Sequence, residues 1–81
     1  MYPFLTMKQI LSYLPEIEKE RVSVVARSRN QFLDQYKKYG INLSPEWILK
    51  RNNFIKRHMK QYEKNPTKRR KLALITWAYM P

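Results

Sequence analysis

The chain contains no cysteine and a single glycine. Without cysteine there is no disulfide framework, no thiolate metal site and no cysteine nucleophile. One glycine leaves no phosphate-cradling glycine loop and argues against a turn-rich β sandwich. Acidic side chains are scarce, six against 17 lysines and arginines, and histidine occurs once, as His58. A lone histidine with few carboxylates offers neither a metal-ligand set nor the partner that acid–base or nucleophilic catalysis requires. No serine stands at a spacing that suggests a triad. An enzyme is therefore not expected, and neither a metal nor another cofactor is implied. Long hydrophobic runs are also missing. The longest mostly apolar stretch is Leu72–Pro81, ten residues, about half of the roughly 20 needed to span a bilayer. The opening Met1-Tyr2-Pro3-Phe4-Leu5 has no basic segment before its apolar residues, so neither a secretory signal nor a membrane partner is expected.

The 81 residues fit one small domain, 1–81. Leu, Ile, Val and Phe number 20, about a quarter of the chain, which is enough to fold. No segment alternates cleanly with period two, whereas helical spacing recurs throughout. Thr6-Met7-Lys8-Gln9 matches a capping box, with Met7, Ile10, Leu11 and Leu14 following at helical intervals. A second helical stretch is expected over Glu16–Tyr39, either as one long helix or as two with a break near Ala26–Ser28, where Ser28-Arg29-Asn30-Gln31 repeats the capping pattern. Gly40 stands where a left-handed C-cap belongs. Ser44-Pro45-Glu46 supplies an N-cap, a first-turn proline and a first-turn carboxylate for a helix reaching about Lys64. The last helix is expected over about Pro66–Tyr79. From Leu72 it is apolar almost all round, as a core-central helix would be. The fold expected is an all-α compact bundle of four or five helices with the C-terminal helix central.

The charge is uneven. Residues 1–40 hold seven basic and four acidic side chains, and residues 41–81 hold ten and two. All ten of the latter basic residues lie between Lys50 and Lys71, with Glu63 as the only acid in that window. On the Ser44-capped helix, Trp47, Ile48, Arg51, Phe54, Ile55, His58, Met59 and Tyr62 repeat on the apolar side. Lys50, Asn53, Lys56, Arg57, Lys60, Gln61 and Lys64 occupy the other. Lys50, Arg57 and Lys64 are seven apart, hence on one ridge. Lys68-Arg69-Arg70-Lys71 then opens the next helix, where cations oppose the helix dipole. A locally unfavourable run kept at a helix start suits phosphate binding. The candidate nucleic-acid-binding residues are therefore Lys50, Lys56, Arg57, Lys60, Lys64, Lys68, Arg69, Arg70 and Lys71.

Other readings of these features stand beside that one. A basic run is also what a solvated face looks like, and the same charge steers docking on an acidic protein. His58, between Phe54 and Tyr62, is expected to be a packed or boundary histidine, with a phosphate contact as the alternative. The eleven aromatics could stack the bases of a single strand, but most match core faces. Phe4 and Leu5 could staple the first helix or support self-association into a homo-oligomer.

The stretch from Trp47 through Phe54-Ile55-Lys56-Arg57-His58 and Asn65-Pro66-Thr67-Lys68-Arg69-Arg70-Lys71 to Trp77-Ala78-Tyr79 resembles small basic proteins of bacteriophages and large viruses. The resemblance covers less than half the chain. It implies a viral origin and a role near viral or host nucleic acid, and it brings no site residues with it. The expected function is largely sequence-independent binding of nucleic acid through its phosphates, DNA ahead of RNA. The alternative is a viral structural or regulatory protein docking on an acidic protein. The expected location is intracellular (host cytoplasm or nucleoid) or virion-associated, not secreted.

Overall fold

The computed structural model describes residues 2–19 and 32–81. The possible break near Ala26–Ser28 and the second capping pattern lie outside the described residues. Among the described residues there are five α-helices and no strand: α1 (Met7–Ser12), α2 (Leu14–Lys19), α3 (Phe32–Tyr39), α4 (Pro45–Lys64) and α5 (Lys68–Ile75), with a 3-10 turn over Gly40–Asn42. The radius of gyration, 11.7 Å, is that of a compact bundle of this size.

The helix boundaries follow from side chains that satisfy orphan backbone groups. Thr6 Oγ1 accepts from Gln9 N at 3.1 Å while Gln9 Oε1 accepts from Thr6 N at 2.8 Å, closing the capping box. Ser44 Oγ accepts from Trp47 N, and Pro45 occupies the first turn of α4. Gly40 has φ +60, the left-handed conformation that costs glycine least. It ends α3 and turns the chain into the 3-10 segment. Thr67 caps α5 by accepting from Arg70 N, so that helix starts at Lys68 and not at Pro66.

Every helix contributes to one core: Ile10 from α1, Ile17 from α2, Phe32 and Tyr36 from α3, Phe54 and Ile55 from α4. The central element is α5 with the turn after it. From Leu72 to Ala78 all seven residues are buried, and α5 packs against both α4 and α2. The helix stops at Ile75, four residues short of the expected Tyr79. Ala78 takes φ +60, Tyr79 N bonds Leu74 O at 3.2 Å and Ala78 N bonds Ile75 O at 2.9 Å. That pair of bonds is a Schellman closure with alanine in the place glycine usually fills. An apolar run alone carries no stop signal, which is why the periodicity ran past it.

Arg51 holds the closure in place. It lies on the core side of α4 and is 1% exposed. Its Nε donates to Trp77 O at 2.8 Å, Nη1 to Tyr2 O at 3.0 Å, and Nη2 to Pro3 O at 2.6 Å and Ala78 O at 2.9 Å. The guanidinium carbon stands 3.8 Å from the centroid of the Phe4 ring, a cation–π contact. Burial pushes the Arg51 pKa down to about 10, opposed in part by Tyr36 and Tyr79, so the group remains charged at neutral pH. Phe4 also stacks on Tyr36 at 5.4 Å, Leu5 is buried, and Leu5 N bonds Ala78 O at 2.8 Å. The apolar start thus packs on the chain's own core, with Leu5 buried and Phe4 half-buried.

Arg51→Met should be severely destabilising, because it strands the carbonyls of Tyr2, Pro3 and Trp77 and leaves Ala78 O with Leu5 N alone. The expected loss is about 3 kcal/mol or more, from a total of about 4–12 kcal/mol for a chain of this length. Urea unfolding followed by circular dichroism measures it, with Arg51→Lys intermediate because one ammonium cannot span four acceptors. A wild-type midpoint for Arg51→Met would refute the assignment.

Candidate functional site

The candidate site is built on α4. Its 20 residues run about 30 Å at 1.5 Å per residue. Arg51, Phe54 and Ile55 are buried, and Lys50, Lys56, Arg57, Lys60 and Lys64 are all exposed. With about 3.6 residues per turn, these five cations fall within an arc of about 120° roughly opposite the buried stripe. From Lys50 to Lys64 the row extends about 21 Å along the axis. Asn53 and Gln61, both exposed, add amides able to bond phosphate oxygens. Glu46 shares the arc, and its Oε1 lies 3.7 Å from Lys50 Nζ. Lys50 Nζ also stands 4.7 Å from the Trp47 ring centroid. Lys50 is therefore partly neutralised, whereas Lys56, Arg57, Lys60 and Lys64 form the cleaner part of the row.

The four basic residues that open α5 are placed differently. Lys68 Nζ lies 3.7 Å from Glu16 Oε2 of α2, so a carboxylate from another helix offsets the charge that opposes the α5 dipole. Both partners are exposed, and such a pair is weak. Arg70 Nη1 donates to Asn65 O at 2.7 Å, across the turn between α4 and α5. Lys71 is half-buried and Arg69 exposed. Sequence spacing grouped all nine cations. The geometry aligns the five of α4 on one face and gives Lys68 and Arg70 structural duties at the start of α5.

His58 is half-buried, and its ring stacks on Phe54 at 3.9 Å and 21°. Burial and, second, the neighbouring Arg57 charge hold its pKa below the ordinary value. It is a boundary histidine of the core, as its position between Phe54 and Tyr62 suggested. Among the described residues no three side chains of the metal-binding types come together, and no helix is long and apolar enough to cross a membrane. Comparison with protein families, curated proteins and solved structures finds no match to this chain.

The sign of the His58 shift fixes a pH effect. The folded state holds the proton less tightly than the unfolded chain, so the stability contribution is fully present above about pH 6.5, the ordinary histidine value. It declines as pH falls through the lower folded value. The thermal midpoint should therefore drop between pH 7 and pH 5, and the drop should be smaller in His58→Gln. An equal drop in the two proteins would show that other groups cause it.

Proposed function

We propose that this chain is a nucleic-acid-binding protein, not an enzyme, that grips the phosphate backbone through the outer face of α4 with little sequence readout, DNA being the leading partner. The observation that carries this reading is the exposed row of Lys56, Arg57, Lys60 and Lys64, continued by Lys50 and set on a helix whose opposite side is anchored in the core. A row of cations fixed to a rigid rod neutralises successive phosphates and releases their counterions. Arg57 can hold one phosphate with two donors, while the lysines act as point charges. Lys68, Arg69, Arg70 and Lys71 add to the positive field at the end of the row.

Binding measured by fluorescence anisotropy across a salt series tests the proposal. If four to six phosphates are neutralised, log affinity for duplex DNA should fall with log salt at a slope of about −4 to −5. Replacing Lys56, Lys60 and Lys64 together by Gln should make the slope shallower by about 2 to 3 and weaken all sequences alike, with the fold retained. A slope near zero rejects the mechanism. A partner captured from cells that survives nuclease digestion would instead favour docking on an acidic protein.

A further inference from the structure

We infer that the α4 face takes a double-stranded nucleic acid and discriminates against single strands, an inference that rests on the phosphate-binding reading above. Sequence-tolerant recognition of single strands combines a cationic groove with aromatic side chains on which bases stack. From Lys56 to Lys64 the structure supplies the charge without an exposed ring. All eleven Phe, Tyr and Trp residues of the chain fall within the described residues, so their disposition is known in full. Only Tyr39 is exposed, at 46%. It ends α3 and faces the start of α4, sharing a pocket with Glu46 and Trp47, with Lys38 Nζ 5.3 Å from its ring.

Most of the other rings are taken up by each other, and Tyr13 and Tyr62 are half-buried against the core. Trp77 stacks between Phe32 at 4.8 Å and Phe54 at 4.5 Å, and Phe54 continues onto His58. Trp47 leans on Phe32 and Trp77, with Lys50 over its ring. Tyr2 and Tyr79 meet edge to face. Releasing one of these rings to meet a base would open the core.

The shape of the surface agrees. The cations stand on the outside of a helix, a convex rod. Among the described residues, one pocket of about 380 Å³ opens at the start of α4, beside Tyr39, Ser44, Glu46 and Trp47, and another of the same volume beside Phe4, Ile48 and Arg51. Neither includes Lys56, Arg57, Lys60 or Lys64. A duplex is itself a stiff rod with a charge every ~1.7 Å of its axis, so a straight row of cations meets several phosphates without reshaping it. A flexible strand would have to be ordered along the helix, and no stacking offsets the lost entropy.

Anisotropy titrations of the full chain with a short labelled duplex DNA and with each of its separated strands, at one salt concentration, test this. The duplex should bind at least about tenfold more tightly, because no stacked base adds to the strand's affinity, and Tyr39→Ala should leave both affinities unchanged. Equal or tighter binding of a single strand, or loss of binding in Tyr39→Ala, overturns duplex selectivity while leaving the phosphate grip standing. Failure of duplex and strands alike overturns the grip itself and the inference with it.

Discussion

The fold depends on one charged group placed where a hydrophobic residue would be routine. Arg51 is set among Phe54, Ile55 and Ile48 on the inner stripe of α4, yet its guanidinium gathers carbonyls from two remote segments, Tyr2 and Pro3 on one side and Trp77 and Ala78 on the other. All four acceptors are backbone carbonyls. Their dipoles replace the water that burial removes from the charge, and the Phe4 ring covers the cation's face. A leucine there would fill similar volume and leave the carbonyls of Tyr2, Pro3 and Trp77 without these donors. The rigid fork of arginine is what allows one side chain to serve segments with no regular pairing of their own.

This arrangement also determines what α4 presents outward. A helix half exposed and carrying five cations on one side is poorly stabilised by its own sequence, because like charges one turn apart repel. Tertiary contacts compensate: Arg51 ties its inner face to both ends of the described chain, and Phe54 enters the ring stack through Trp77. Charge outside and anchorage inside are thus two sides of one helix. Trp77 illustrates the cost of this packing, since its Nε1 is buried with no hydrogen-bond partner. An unsatisfied donor of that kind typically costs about 1–3 kcal/mol, and the extensive stacking of its ring on Phe32 and Phe54 works against that loss.

Much of the architecture was legible in the sequence because it depends on local chemistry. The Thr6 capping box, the Ser44-Pro45-Glu46 start, the extent of α4 to Lys64 and the left-handed Gly40 all rest on short-range signals. The end of α5 was not legible, since its closure uses an alanine at φ +60, which composition gives no reason to expect. Arg51 was visible only as an oddity on an apolar stripe. Its partners are carbonyls, which every residue carries, so no pattern of side chains could announce them. The basic face of α4 was readable from spacing alone. The split at the start of α5 was not, because Glu16 lies 52 residues from Lys68 in sequence and Asn65 contributes only its backbone oxygen.

Helical bundles usually fold fast because most of their contacts are between neighbours in sequence. Here the decisive bonds close long loops: Tyr36 reaches back 31 residues to Leu5, and Arg51 reaches back 49 to Tyr2 and forward 27 to Ala78. On a ribosome, Trp77 and Ala78 emerge after nearly everything they anchor. Until they do, the guanidinium has at most the two carbonyls of Tyr2 and Pro3 for company, and the ring stack lacks its central indole. Assembly therefore waits for Trp77 and Ala78, and a nascent chain halted before Trp77 would expose Phe32, Trp47 and Phe54 together, a surface suited to capture by chaperones.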